Sequence, residues 1–525
     1  MTVAAAPPRR RMRANGRHRA PVGLLLVSGL VGIVVLAPLI FVGIQAYDTG
    51  WSASIRLLDR PIVATLFGNT LRLTAAVTAL CAVIGTAAAW LVERTTLPGR
   101  RVWSLLFILP LAIPEFVVSY GWVSVSSVVR GFGGAVLVET LTRYPLVYLL
   151  VAASLRGMDP LQEESAQSLG CGPWRTFSRV TLGQARPAIL GGSLLVALYL
   201  LSDYGAFAML GFRTFTTEIF AEYKIGFNIS AASALAFVLV AISLVLLIGE
   251  QRASGRARYA RVGQGAARTL RRHRLGRLTV LALAASAGLV ALSLGVPLGS
   301  LAYWLVRGSS TTLPPASILA ATGHTIEYAL IAAGLTTAMA LPVAVLAVRH
   351  RSPMGTALER STYLARAIPG VVIGLAFVFY AIRYLPGLYQ SSELLVLGYA
   401  VVFLPLALVA IRSGLQQAPP QLEEIARSLG ESRLSAFFRV TLPLLGPALG
   451  AAFALVFLSA TTELTATLLL RPTGVETLST QFWVYTSALA YGAAAPYAAL
   501  LVAASAVPTL FLTRRLQALS GTMIT

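Results

Sequence analysis

This chain is short of charge. Of 525 residues only 12% are Asp, Glu, Lys or Arg, against about 25% in an ordinary soluble domain. A chain this long with so little charge cannot cover itself with polar surface on all sides. Lysine occurs once, at Lys224 between Tyr223 and Ile225. A G-x-x-x-x-G-K-[ST] phosphate loop needs a lysine that reaches the phosphates, so the chain carries no such loop. Cysteine occurs twice. Cys81 lies in an apolar run and Cys171 in a basic loop, expected on different levels of a membrane, so no disulfide is expected. There is no C-x-x-C or His-x-x-x-His pattern for a structural metal. Short alternating segments of the β-barrel kind are missing too.

What is present is apolar. Hydrophobic residues make up 56% and mean hydropathy is +0.75. Several uninterrupted runs reach the ~20 residues that a membrane-crossing helix needs. The fold class is an all-α polytopic membrane protein. Twelve spans are predicted at 22–45, 64–92, 102–125, 137–155, 187–211, 231–249, 278–305, 325–348, 361–382, 393–411, 446–470 and 490–513. The fourth is broken at its start by Arg143 and Pro145. The run after the basic residues 1–21 is too long for a signal-peptide core and reads as an uncleaved first span.

The formal net charge of +22 resembles that of a nucleic-acid binder, but the arginines fall between spans, so no nucleic-acid partner is expected. With the N-terminus inside, 31 of the 42 Lys and Arg lie in inside segments. Arg143 is counted with the outside loops, and Arg72 and Arg366 fall within spans. By the positive-inside rule both termini are cytoplasmic, and anionic lipid faces the basic loops.

The arginine-rich segment 250–277 divides the chain near its middle. The residues around it repeat. EESAQSLGCGPWRTFSRVTLGQARPAI from Glu163 matches EEIARSLGESRLSAFFRVTLPLLGPAL from Glu423, with 13 of 27 positions identical at an offset of 260. Further upstream the offset is 255: Gly68-Asn69-Thr70 meets Gly323-His324-Thr325, and Ala112-Ile113-Pro114 meets Ala367-Ile368-Pro369. The expected organisation is a first six-helix unit at 22–249, a second at 278–513 and a cytoplasmic tail at 514–525. An even number of spans per unit makes the repeat parallel, not inverted.

The best-matched stretch is a polar loop between the fourth and fifth spans of each unit. Asp159 caps a short helix with Pro160 at its first turn, and Glu163 and Glu164 sit near its positive end. Gly170 ends it in a positive-φ conformation. Pro173 starts a second helix with Trp174, Phe177 and Val180 on one face. The second copy uses Pro420, Glu423, Glu424 and Gly430, then Leu434, Phe437 and Val440, with Pro443 ending the run.

This loop resembles the E-A-A-x-x-x-G…I-x-L-P loop of binding-protein-dependent ABC importer permeases. The second copy reads Glu424-Ile425-Ala426, Gly430 and Val440-Thr441-Leu442-Pro443; the first reads Glu164-Ser165-Ala166, Gly170 and Val180-Thr181-Leu182-Gly183. Gly183 stands where the family has Pro, which bears on the exit geometry of the first loop. The resemblance implies two tandem MetI-like units. It also implies coupling loops that dock on separate ATP-binding subunits, two of them with one per loop, and an extracytoplasmic substrate-binding protein. No cofactor is expected on this chain, since the partner uses the ATP, and no enzyme activity of its own.

Ser202–Phe220 and Thr462–Thr480 resemble the matching stretches of fused ferric-iron permeases. Permeases for thiamine, 2-aminoethylphosphonate, sulfate, molybdate and polyamines share the architecture and remain alternatives, as does a twelve-span secondary transporter with coupling-ion sites at the midplane. Candidate pathway residues are Asp203 and Glu463, which align at the 260 offset, and Tyr204. Their hard oxygens suit a ferric ion, and intramembrane acids default to a functional role; the alternative is that both cap helix ends. Glu115, after Pro114, reads as the cap of a broken helix. Arg72 and Glu327 align at the 255 offset and are expected either to pair across the pseudo-two-fold axis or to sit in separate solvated environments. His324 reads as a helix-start residue matching Asn69, not as a metal ligand, and no resident metal is assigned.

Overall fold

Apolar runs placed in lipid must satisfy their backbone hydrogen bonds internally, and helices do so. The computed structural model describes residues 21–158, 160–254, 272–308, 315–350, 354–355, 357–358, 361 and 368–521. Asp159, Arg366, the basic residues 1–20 and residues 255–271 of the arginine-rich segment lie outside the described residues.

The first half contains α1 Val22–Thr49, α2 Pro61–Arg94, α3 Glu115–Val125, α4 Phe132–Arg156 and α5 Pro160–Ser168. It continues with α6 Leu182–Ser202, α7 Gly205–Met209, α8 Phe215–Lys224 and α9 Ile229–Ser254. The second half contains α10 Leu278–Val290, α11 Val296–Arg307, α12 Pro315–Arg349, α13 Gly370–Tyr384 and α14 Ser392–Gln417. It ends with α15 Pro420–Ser428, α16 Gly446–Thr461, α17 Thr465–Leu470, α18 Leu478–Ser487 and α19 Tyr491–Gly521.

Among the described residues eight helices are long and apolar enough to cross a bilayer, or ten if two bent pairs each count once. The shorter apolar helices Gly370–Tyr384 and Tyr491–Ala506 stand at the ninth and twelfth expected spans. The chain is an all-α polytopic membrane protein.

Four spans depart from the sequence reading. The third is two pieces, Arg100–Ala112 and Glu115–Val125, bent by 92°. Pro114 sits at the break and Glu115 opens the second piece, where a carboxylate suits the helix dipole. The fourth is unbroken: α4 carries Pro145 inside it and buries Arg143, so Arg143 is not an outside-loop residue. The fifth and eleventh end at Ser202 and Thr461, short of the expected 211 and 470. Beyond these ends the chain turns through the short hairpins α7–α8 and α17–α18.

Those hairpins explain the repeated Gly-Asn-Thr and Gly-His-Thr triplets. Asn69 Nδ2 donates to Arg213 O at 3.0 Å, and His324 Nδ1 lies 3.0 Å from Glu476 O. Thr70 Oγ1 accepts from the Phe215 amide at 3.4 Å, and Thr325 Oγ1 from the Leu478 amide at 2.8 Å. Each triplet fastens the start of a hairpin helix to a long span. Both lie within α2 and α12, so His324 is not a helix-start residue. Reciprocal capping boxes at Thr214 and Thr477 complete the hairpins.

The halves trade helices. In one core Val35 and Phe41 of α1 pack with Val343, Val371 and Leu404 of the second half. In the other, Leu301 of α11 and Phe482 and Tyr497 pack with Val77, Tyr148 and Val196 of the first. The exchange is locked by hydrogen bonds from Tyr380 Oη to Ala37 O at 2.9 Å and from Tyr120 Oη to Tyr491 O at 2.8 Å. Small residues allow the closest approaches. A Cβ on Gly85 would meet Tyr144 O and Val147 Cβ at 2.8 Å, whereas Gly68 in the same helix has open space. Gly85→Ala is therefore expected to cost about 1–3 kcal/mol by overpacking, while Gly68→Ala is neutral or stabilising by helix propensity. Paired thermal unfolding in detergent checks the opposite signs.

Candidate functional site

Between the halves lies a cavity of about 150 Å³ lined on one side by Glu115, Tyr199, Ser202 and Asp203 and on the other by Gly370, Phe403, Thr462 and Glu463. Its position follows from the two helix ends. Where α6 stops, Asp203 Oδ1 accepts from the Ala206 amide at 3.2 Å; where α16 stops, Glu463 Oε1 accepts from the Ala466 amide at 2.9 Å. Each acid thus caps a short helix and also lines the cavity. The halves meet at its wall, where the Gly370 amide donates to Ser202 Oγ at 2.9 Å.

The first half adds a buried ion cluster that sequence reasoning missed. Arg143 is 4% exposed. Its Nε lies 2.5 Å from Glu139 Oε2, and its Nη2 lies 2.7 Å from Asp203 Oδ2 and 3.9 Å from Glu115 Oε1. At the 260 offset, Glu139 and Arg143 correspond to Tyr399 and Phe403. There the cluster is replaced by a hydroxyl pair, Tyr399 Oη and Thr467 Oγ1 at 2.6 Å. The Glu139–Arg143 spacing of i, i+4 inside an apolar run was the signal that could have located it.

Tyr204 is not at the cavity wall. Its ring packs 4.2 Å from Phe220 and 5.3 Å from Trp483. No salt bridge joins Arg72 and Glu327 among the described residues. Both are exposed, because Thr70, Leu73, Thr325 and Tyr328 take the inward faces of α2 and α12. Among the described residues no group of three His, Cys, Asp or Glu is placed to hold a metal ion, and both cysteines are free.

The two polar loops are built alike. α5 and α15 end at Gly170 and Gly430, with φ of +84° and +97°. The Cys171 amide reaches Ala166 O at 3.0 Å and the Glu431 amide Ala426 O at 3.1 Å, the reversal that a glycine at this position permits. A π-helical turn follows in each, Phe177–Thr181 and Phe437–Thr441. The first loop then runs straight into α6. The second bends by 65° before α16, because Pro443 removes a backbone donor that Gly183 keeps.

Within each loop the two glutamates have different surroundings. Glu163 pairs with Arg94, at the end of α2, and accepts from Thr181 Oγ1 at 2.7 Å. Glu423 accepts from Thr441 Oγ1 at 2.7 Å and lies 3.5 Å from Arg349, at the end of α12. Arg94 with Arg349, and Thr181 with Thr441, keep the repeat offsets of 255 and 260; the arginine match is one the sequence reading passed over. Glu164 and Glu424 are exposed, beside the exposed apolar side chains of Leu169, Trp174, Ile425, Leu429 and Leu434.

Comparison with known proteins agrees with this architecture. Residues 82–258 and 331–521 each match the family described as binding-protein-dependent transport system inner membrane component. The chain is 37% identical to the Fe(3+)-transport system permease protein FbpB 2 of Haemophilus influenzae, over 94% of this chain and 98% of that one. It is 25% identical to the ferric transport system permease protein FbpB of Actinobacillus pleuropneumoniae, over 91% and 76%. Similarity to the sulfate transport system permease protein CysT of Escherichia coli is 27% and covers 41% of this chain and 86% of that one. Such components work with a binding protein and an ATPase, and the relatives are permease proteins. With two regions of the chain matched, this multi-pass chain belongs to the family of inner-membrane permease components of binding-protein-dependent transport systems.

Proposed function

We propose that the chain imports ferric ion, received from an extracytoplasmic binding protein and passed between the halves through the acidic cavity. The observation that carries this reading is the wall chemistry. Glu115, Asp203 and Glu463 line the cavity from both halves, and hard carboxylate oxygens suit a small, highly charged cation. A sulfate or molybdate cargo would meet like charge there. The similarity to ferric permeases supports the same cargo.

In this reading both termini are cytoplasmic, since the basic segments gather on that side. The two loops are the docking helices for a pair of ATPase subunits. Glu164, Glu424 and the neighbouring exposed apolar side chains face the partner, while Glu163 and Glu423 tie each loop to the transmembrane bundle. Closure of the ATPase pair pushes both loops and rocks the halves about the cavity. The chain itself needs no cofactor for this; ATP is bound and used by the partner.

The test is ATP hydrolysis in lipid nanodiscs by the permease with its co-expressed ATPase. Several-fold stimulation is expected from the ferric-loaded binding protein and none from its iron-free form. Stimulation by a thiamine- or phosphonate-loaded protein instead would keep the architecture and replace the cargo. Failure to retain any ATPase would restore the secondary transporter.

A further inference from the structure

The ion cluster behind the cavity carries a conclusion that rests on the cation-import reading and deepens it. A carboxylate-lined passage has a standing problem. When empty it attracts any cation, and when filled by a trivalent one it does not let go. A positive charge of the chain itself already stands beside this cavity. Arg143 is buried, lies behind Asp203, and reaches three carboxylates from one guanidinium.

The geometry points to Arg143 as a tethered competitor of the substrate. With the cavity empty it holds Asp203, so a passing ion meets a carboxylate oxygen already taken by a guanidinium. A ferric ion entering from the binding protein displaces the guanidinium from Asp203 and takes that carboxylate together with Glu115 and Glu463. Arg143 has somewhere to go. Glu139 already accepts its Nε through Oε2, and Oε1 of the same carboxylate is buried without a hydrogen-bond partner. Turning Nη2 from Asp203 onto that oxygen closes a two-pronged pair with Glu139, the arrangement guanidinium and carboxylate favour. The return swing delivers Arg143 back to Asp203 and evicts the ion. No covalent bond of the protein and no oxidation state changes in this cycle: carboxylate coordination to the ion replaces the guanidinium–Asp203 hydrogen bond, and the return swing reverses the exchange.

Three features separate this role from plain stabilisation. Arg143 approaches the cavity side of the cluster, at Asp203 and Glu115, as well as its buried partner. Its repeat counterpart is Phe403, which lines the cavity with no charge, while the acid it would neutralise, Glu463, is kept. And among the described residues Glu463 has no salt-bridge partner, so half the passage is left ready for the ion.

The experiment uses terbium(III), a trivalent oxygen-seeking probe whose emission is sensitised by nearby tyrosine. The Tyr199 ring lies 5.4 Å from the Arg143 guanidinium carbon. The purified full-length permease is titrated in detergent and the tyrosine-sensitised emission read. Wild type and Arg143→Lys, which keeps the charge, are expected to bind weakly. Arg143→Gln is expected to bind at concentrations at least tenfold lower, and adding Asp203→Asn is expected to abolish that gain.

Arg143→Gln leaves Glu139 buried without a counter-charge and can fail to fold. The double variant Glu139→Gln/Arg143→Gln removes both charges, frees Asp203 and should show the same gain. If the folded variant binds terbium no more tightly than wild type, or if Asp203→Asn leaves the gain intact, the competitor role is overturned. A tighter terbium site together with no response to the ferric binding protein in nanodiscs would uphold the role and reject iron as the cargo.

Discussion

Arg94→Ala is expected to lower binding-protein-stimulated ATP hydrolysis at least tenfold, and Arg349→Ala by distinctly less. The two arginines occupy the same place in the repeat, so the difference comes from their surroundings. Arg94 is 2% exposed and its partner Glu163 14%, whereas Arg349 and Glu423 are 14% and 31% exposed. Removing one member of a buried pair strands the other and costs about 3–5 kcal/mol; a half-wet pair loses much less. The cost falls on the hold between α2 and the first loop, not on the core of the bundle. The loop should come loose while the permease still folds, so the variant should keep its thermal stability better than its coupling. Limited trypsin digestion at Arg175 and Arg179 reads the loop directly. Hydrolysis equal to wild type in Arg94→Ala, with the loop still protected, would show that Glu163 does not need its arginine. Glu164→Gln is the useful contrast. It alters an exposed group at the proposed docking face and should weaken ATPase retention without exposing the loop.

Either half expressed alone is expected not to accumulate, while residues 1–262 and 263–525 co-expressed should assemble into a working permease. The exchange of helices is the reason. Without the second half, Val35 and Phe41 of α1 lose the core they pack into, and Tyr148 and Val196 lose Leu301, Phe482 and Tyr497. In a bilayer the hydrophobic effect does not drive helices together, so tight packing and interhelical hydrogen bonds have to. A lone half forfeits both kinds at once. Co-expression restores them in trans, because the cut falls in the arginine-rich stretch between the units. Blots of each half with and without its partner decide the matter. A half that is stable alone would mean that the exchanged helices decorate the fold without supporting it.

The membrane class, the repeat and the glycine-terminated loops were legible because each leaves a local signature. Apolar runs, a constant offset and a glycine after a short helix need no tertiary information. The ends of α6 and α16 were not legible. After Asp203 and Glu463 the chain is mostly apolar again through 211 and 470, and hydropathy has no means of seeing a chain turn back on itself. Arg143 was misplaced for a related reason. Beside Pro145 it resembles a loop residue, and its burial rests on Glu139 one turn away together with Asp203, 60 positions away. Arg94 and Arg349 read as topology signals, as basic residues at span ends do. Their second role as anchors for Glu163 and Glu423 depends on where the loop folds back. The expected Arg72–Glu327 contact failed because alignment within a repeat fixes height along a helix but not the direction a side chain faces.

Fusion of the two units into one polypeptide has a consequence at Arg143. In a permease made of two identical subunits, whatever stands beside the axis stands there twice. A buried arginine would bring a second arginine with it, two guanidinium groups across a narrow passage and two extra carboxylates to neutralise them. A single chain escapes that arithmetic. Its halves can keep a shared scaffold, with matching loops, clamps and hairpin pins, while one of them places an odd charge where symmetry would forbid it. The occupants of positions 143 and 403, arginine and phenylalanine, are the mark of that freedom: the frame is still double, but the electrostatics of the passage have become singular.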